Sequence, residues 1–226
     1  MARVIIIGGH GKIALRLARL LTARGDAVSS VIRNQAQSDD IIATGATPVV
    51  ADVEHLDTEA IAEALTGHDV VVWSAGAGGG NPERTFAVDR DAAIRSIDAA
   101  AAAGVPRYVM VSYYGAGPDH GVPEDNSFYA YAEAKAAADA HLTSTDLAWT
   151  ILGPSRLTDD PGSGRIEVGG SDTSAGSGTS GSTTSKSEVS RDNVAAVAAA
   201  VIADPATAKR VIEFNDGDVP IETALA

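Results

Sequence analysis

The stretch Arg3 to Leu21, RVIIIGGHGKIALRLARLL, constrains the fold more than any other part of this chain. Four consecutive branched apolar residues, Val4 to Ile7, run straight into Gly8, Gly9 and Gly11. Ile13, Leu17, Leu20 and Leu21 then recur at helical spacing, with Arg16, Arg19 and Arg24 off that face. A buried strand, a tight glycine turn and a helix follow one another in the order that makes a phosphate site. Glycines let the backbone turn sharply and let a pyrophosphate approach main-chain N–H groups that a Cβ would shield. The spacing Gly8-x-x-Gly11-x-x-Ala14 departs from the plain G-x-G-x-x-G fingerprint. It keeps small residues where the helix must pass close to ligand and strand, so dinucleotide binding is the reading.

The rest of the chain repeats this rhythm. Strands are predicted at Ala27 to Ile32, Thr47 to Ala51, Asp69 to Trp73, Tyr108 to Val111 and Ala148 to Leu152. Helices are predicted between them at Gln35 to Thr44, Leu56 to Leu65, Pro82 to Ala103 and Phe128 to Ser144, the first two closed by Gly45 and Gly67. Such alternation implies an α/β, Rossmann-like, doubly wound parallel sheet with helices on both faces, in a single domain spanning 1–226. Past Leu152 the rhythm breaks into turn signals, and Gly169 to Ser187 is almost only Gly, Ser, Thr and Ala. That segment reads as a lid over the site or as surface loop, with irregular edge pairing at Ile166 to Val168 beside it. A helix from Asn193 to Ala203, with Ser190 as N-cap, and a strand from Arg210 to Phe214 close the chain.

Composition narrows the partners. Lys and Arg total 17 against 30 Asp and Glu, a net charge of −13, which repels nucleic acid and anionic membrane. The absence of cysteine excludes disulfides and thiol catalysis and fits a reducing cytoplasm. The first strand begins within two or three residues of Met1, so no signal peptide is expected, and no apolar run is long enough to span a bilayer. The histidines and carboxylates show no metal-ligand spacing. The expected partner is a small molecule, on a monomer or homodimer.

A dinucleotide laid across the strand ends makes residues just after the later strands candidates for ligand contact. These are Ser74 to Gly80, Ser112 to Gly115 and Gly153 to Arg156. The following helix carries Tyr131-Ala-Glu-Ala-Lys135, whose spacing of four sets phenol and ammonium on one face. Free tyrosine titrates near about 10, and a nearby ammonium lowers that value. Tyr131 is thus the candidate acid/base, Lys135 its activator, and Ser112 the hydroxyl that holds the same substrate oxygen. Arg156 is either a pocket residue for an anionic group or the ion-pair partner of Asp159 or Asp160. His10, inside the glycine turn, either lies over the phosphates or points to solvent.

These motifs resemble the short-chain dehydrogenase/reductase superfamily. They are most similar to its atypical branch of small NAD(P)H-binding proteins, with NmrA-like and biliverdin reductase B-like members. GGHGKIA, Ala51-Asp52-Val53, VMVSYYGA, YAEAK, RLTDDPGSG and SRDNVAAVAAAVI carry the resemblance over nearly the whole chain. It implies that Gly8, Gly9, His10, Gly11, Lys12 and Ile13 hold the pyrophosphate. It sets Asp52 and Val53 against the adenine, Ala75 and Gly76 against the adenosine ribose, and Pro154 among the cofactor contacts. Ser112, Tyr131 and Lys135 match the family's catalytic trio, which some members of the branch lack or do not use. Asp89 stands where many relatives carry an asparagine.

NAD selectivity usually rests on an acidic residue at the end of strand two, about 20 residues past the turn. Here Arg33-Asn34 ends that strand, which favours a 2′-phosphate, and NADP over NAD. The expected activity is hydride transfer from NADPH to a small carbonyl, quinone-like or flavin-like acceptor. The rival is an NmrA-like regulator that senses NADP(H) without turnover. A sugar-nucleotide epimerase is disfavoured because the chain is short for a separate substrate domain.

Overall fold

A computed structural model describes residues 1–169 and 188–226. β1 (Arg3–Ile7) turns at the glycines into α1 (Lys12–Ala23), and β2 (Ala27–Ile32), α2 (Ser38–Ile42) and β3 (Thr47–Val50) complete the first half. The second half runs α3 (Thr58–Leu65), β4 (Val70–Trp73), α4 (Pro82–Thr85), a π-helical stretch (Phe86–Ala92), α5 (Ala93–Ala102) and β5 (Arg107–Val111). It continues with α6 (Tyr129–Thr143), β6 (Ala148–Pro154), β7 (Arg156–Thr158) and β8 (Arg165–Val168). The last elements are β9 (Glu188–Ser190), α7 (Arg191–Ala203), β10 (Arg210–Asp216), β11 (Val219–Pro220) and α8 (Ile221–Leu225).

The main sheet has the order β11-β8-β10-β6-β5-β4-β1-β2-β3. From β3 to β10 every neighbouring pair is parallel; β8 then runs antiparallel to β10 and to β11. Strand order reverses between β1 and β4, and the crevice at that reversal is where such sheets bind ligands. β1 is buried on both faces. Val4 and Ile6 join the core under α1 and α7, whereas Ile5 and Ile7 join the core under α3 and α5. Each is fully buried and contributes roughly 1.5–3 kcal/mol.

Several expectations are refined by tertiary contacts. The helix predicted from Pro82 to Ala103 contains the π stretch, which carries Asp89 inward to accept the Ala77 N–H at 3.0 Å. The helix predicted from Gln35 to Thr44 is a 3-10 turn, Gln35–Gln37, followed by α2, because the Asn34 side chain accepts the Ala36 N–H. β6 runs past Leu152 to Pro154, since Gly153 and Pro154 pair with Glu213 and Phe214 of β10. The pairing of Ile166 to Val168 is a regular antiparallel strand. Of the segment expected as a lid or loop, residues 170–187 lie outside the described residues.

The motifs RLTDDPGSG and SRDN clasp each other. Ser190 caps α7 by accepting the Asn193 N–H at 3.1 Å. Buried Asn193 accepts the Gly164 N–H (2.9 Å) and donates to Asp216 Oδ1 (2.6 Å) and the Arg165 carbonyl (3.1 Å). Asp192 accepts the Gly162 N–H at 3.1 Å and the Arg16 Nε–H at 2.5 Å, tying this loop to α1.

Candidate functional site

Gly8 stands at φ +85°, and a Cβ there would lie 2.6 Å from Ala75 Cα and N. The turn therefore passes against the end of β4 at a distance only glycine permits. Gly9 donates to the Val31 carbonyl at 2.8 Å, and a Cβ on it would meet Ser30 Cβ at 2.6 Å. Gly11 is the N-cap of α1, with no side-chain cap and no acidic residue in the first turn. The leading N–H groups of α1 thus have no side-chain acceptor and carry the positive end of the helix dipole.

A cavity of about 340 Å³ opens beside this turn and is lined by Gly8, His10 and Gly11. Its other walls include Arg33, Asp52, Val53, Ala75 and Gly76. The remaining expected cofactor residues lie elsewhere. Gly9 leaves no room for a Cβ beside Ser30, and the Ile13 side chain is buried in the core, leaving its first-turn N–H. Lys12 reaches out to Asp159 at 2.6 Å, and Pro154 lines a second cavity. His10 lines the first cavity, with its side chain 35% exposed. It is held between Asp40 (2.7 Å) and the Gln37 amide (3.1 Å).

Two residues of the first cavity escaped the sequence reading. Arg84 donates to Glu54 Oε2 at 3.2 and 3.3 Å and to the Ala77 carbonyl at 2.7 Å, bridging the loops after β3 and β4. Glu54 also lies 4.0 Å from the Arg33 guanidinium. The only sequence signal for Arg84 was Asn81-Pro82, which starts a helix directly after the glycine run, with Asn81 accepting the Arg84 N–H.

The second cavity, about 640 Å³, brings together Ser112 and Tyr131. Tyr131 sits in an aromatic wall with Phe128 and Tyr113, ring centroids 5.2 and 5.6 Å away. The Tyr113 hydroxyl and Ser155 Oγ, both on lining residues, are buried with no hydrogen-bond partner among the described residues. Arg156 lines the same cavity, and its ion-pair partner is Glu188 rather than Asp159 or Asp160. Asp159 is taken up by Lys12, by Arg191 at 3.1 Å and by Arg16 at 3.7 Å.

Lys135 does not line this cavity. Its ammonium is buried and donates to the Val111 carbonyl at 2.8 Å and Met110 Sδ at 3.6 Å. Burial lowers its pKa, opposed by the charges of Asp139 and Asp89. The Tyr131 phenol is pushed up, not down, by burial first and then by Asp89 and Asp139. Burial is the larger cause at the phenol and the two carboxylates add to it, while the Lys135 hydrogen bonds go to Val111 and Met110. Ser112 donates its hydroxyl to Asp139 Oδ2 at 2.5 Å. Asp139 was missed, although it continues the Tyr131, Lys135 series by four more residues.

A family model for NAD(P)H-binding proteins matches residues 8–205. The chain belongs to this NAD(P)H-binding family. Among family relatives, UPF0659 protein C216.03 of Schizosaccharomyces pombe is 35% identical over 100% of this chain and 94% of its own. Bacillus subtilis YhfK, named as an uncharacterized sugar epimerase, is 32% identical over 99% of this chain and 98% of its own. A Bacillus halodurans structure, provisionally assigned as an NAD-dependent epimerase/dehydratase, superposes with TM-score 0.86 at 28% identity, covering 100% of this chain and 99% of that one.

The residues present suit the family's nicotinamide coenzyme. The uncapped start of α1 and the Gly8 cradle, which a Cβ would fill, offer peptide N–H groups to a diphosphate. Arg33 adds a cation to the lining of the same cavity, with its side chain 59% exposed and 4.0 Å from Glu54. Among the described residues, no helix is long and apolar enough to cross a membrane.

Proposed function

We propose that this chain is an NADPH-dependent reductase that passes hydride to a small carbonyl, quinone-like or flavin-like acceptor. One observation carries the reading: the glycine-turn cavity and the Ser112/Tyr131 cavity open at the carboxyl ends of the adjacent strands β4 and β5. Gly8, Gly11 and the first N–H groups of α1 hold the diphosphate, and Asp52, Val53, Ala75 and Gly76 wall the adenosine. Arg33 gives a 2′-phosphate charge-assisted hydrogen bonds, which supports NADP over NAD. A bound reduced nicotinamide supplies the hydride. Tyr131 and Ser112 are the hydroxyls offered to the acceptor's oxygen. A tyrosine carries its proton across neutral pH, so Tyr131 is the group that donates it to the acceptor's oxygen. The aromatic wall suits a flat acceptor, and Arg156 at its edge suits an anionic substituent.

The test is loss of nicotinamide absorbance from NADPH mixed with carbonyls, quinones and flavins, for the wild-type chain and Tyr131→Phe. The expected loss in kcat is about a hundredfold or more, with coenzyme affinity retained. Unchanged turnover rejects Tyr131 as the acid. A second reading, coenzyme sensing without turnover, is favoured by the Lys135 ammonium being spent on the Val111 carbonyl instead of facing the phenol. It prevails if no acceptor oxidises NADPH while the coenzyme's redox state changes capture of a protein partner.

A further inference from the structure

The Ser112 hydroxyl has one proton and two lone pairs. That proton goes to Asp139 Oδ2, at the 2.5 Å separation of an O–H donating to a carboxylate. The serine is nearly fully buried yet lines the 640 Å³ cavity, so what it turns toward that cavity is lone pairs. The other carboxylate oxygen, Oδ1, is buried without a hydrogen-bond partner among the described residues. Lys135, one turn back on α6, spends its hydrogen bonds on Val111 and Met110 and reaches Asp139 as a charge. The ionised carboxylate is thus held by one hydrogen bond and one buried charge, against the cost of burial.

We propose, on the hydride-transfer reading above, that Asp139 is a positioning residue that sets which way the Ser112 hydroxyl points. With Asp139 ionised, Ser112 faces the cavity as a hydrogen-bond acceptor. With Asp139 protonated, the carboxyl O–H turns onto Ser112 Oγ, the acceptor at hand, and the serine proton is released toward the cavity. The donor form polarises a carbonyl; the acceptor form holds a hydroxyl. Reduction then has its faster limb on the acid side of the Asp139 midpoint, and binding of a hydroxylated product strengthens on the alkaline side.

The groups facing Asp139 are few. Lys135 and Tyr131 share its helix, Tyr108 comes from β5, Ser112 and Tyr113 follow that strand, and Asp89 comes from the π stretch and acts on the same Lys135. Asp98 of α5 is engaged by His141, and Arg84 of α4 by Glu54. Burial raises the Asp139 pKa; Lys135 and the Ser112 hydrogen bond lower it.

The experiment follows the Asp139 side-chain carboxyl by carbon NMR in aspartate-labelled full-length protein, assigned by its absence in Asp139→Asn. Removing the hydroxyl in Ser112→Ala takes a hydrogen bond from both forms of Asp139 and moves the midpoint up by about one pH unit, the excess of a hydrogen bond to a charged group over a neutral one. If the alanine variant does not fold, Ser112→Cys, whose S–H is a weaker donor, moves the midpoint the same way by less. A second arm measures kcat/KM against pH with NADPH and menadione. Wild type falls about tenfold per unit above the Asp139 midpoint, and Asp139→Asn, with no proton to titrate, is flat through that range. A midpoint that Ser112→Ala leaves in place, or an acid limb that survives in Asp139→Asn, overturns the proposal. Should wild type oxidise no NADPH at all, the hydride-transfer reading falls, while the NMR shift still decides whose hydroxyl Asp139 holds.

Discussion

The glycine turn can be taken apart by three alanine substitutions that separate strain from collision. Gly25 stands at φ +93° with nothing within 4 Å of an added Cβ, so Gly25→Ala carries backbone strain alone, about 1–2 kcal/mol. Gly9 is free of positive φ, yet its Cβ would meet the Cβ of buried Ser30 at 2.6 Å. Gly9→Ala therefore carries collision alone, about 1–3 kcal/mol. Gly8 has both: φ +85° and backbone atoms of Ala75 and Ser74 at 2.6 and 2.8 Å, which no rotamer change relieves. The two costs add to about 2–5 kcal/mol, or roughly 4–20 °C in Tm for a chain of this length. Thermal melts of the three variants side by side read this directly. Coenzyme titration by calorimetry adds the functional half: affinity is lost in Gly8→Ala and kept in Gly25→Ala, at the far end of α1. If Gly8→Ala melts like Gly25→Ala, the turn is not pressed against β4 and the argument from close approach is wrong.

Two further predictions rest on charges. Arg33→Ala lowers the NADPH-over-NADH affinity ratio by about 10-fold or more, the worth of a charge-assisted hydrogen bond; an unchanged ratio removes Arg33 from coenzyme selection. Asp69 is held down to about 2 by the side-chain and backbone hydrogen bonds of Arg3. A lowered carboxyl stabilises the fold above its unfolded pKa, about 4, and that contribution fades as pH falls toward 2. Asp69→Asn should therefore melt below wild type at neutral pH, with the gap closing between about pH 4 and 2. The pair is largely solvent-exposed, so the gap is small, and a gap independent of pH refutes it.

What could be read from the sequence was what neighbouring residues decide together. The doubly buried β1 follows from four branched apolar residues, because both faces of a parallel strand are covered. Gly45, Gly67 and Gly104, at φ +84°, +84° and +69°, end their helices where only glycine turns cheaply. The elements that escaped depend on distant partners. β7 and β9 are three residues each and pair Arg156 with Glu188, with no local pattern to announce it. The π stretch shares the apolar spacing of an ordinary helix; what distinguishes it is the buried carboxylate of Asp89 meeting the Ala77 N–H.

The same division explains why the site was half legible. A serine at the end of β5 and a tyrosine on α6 do meet in one cavity, because strand ends and the following helix are local facts. The direction in which that tyrosine's pKa moves is not. Tyr131, Lys135 and Asp139 recur every four residues on one face of α6, and reading only the first two makes the ammonium the dominant neighbour. With the third member and Asp89 included, the cluster holds two carboxylates against one ammonium that is already committed to the Val111 carbonyl. Burial itself raises the phenol's pKa most, because the phenolate loses its hydration, and the carboxylates add to it. The phenol is consequently harder to ionise than free tyrosine, and the reaction it suits is the one that begins with the proton on the protein.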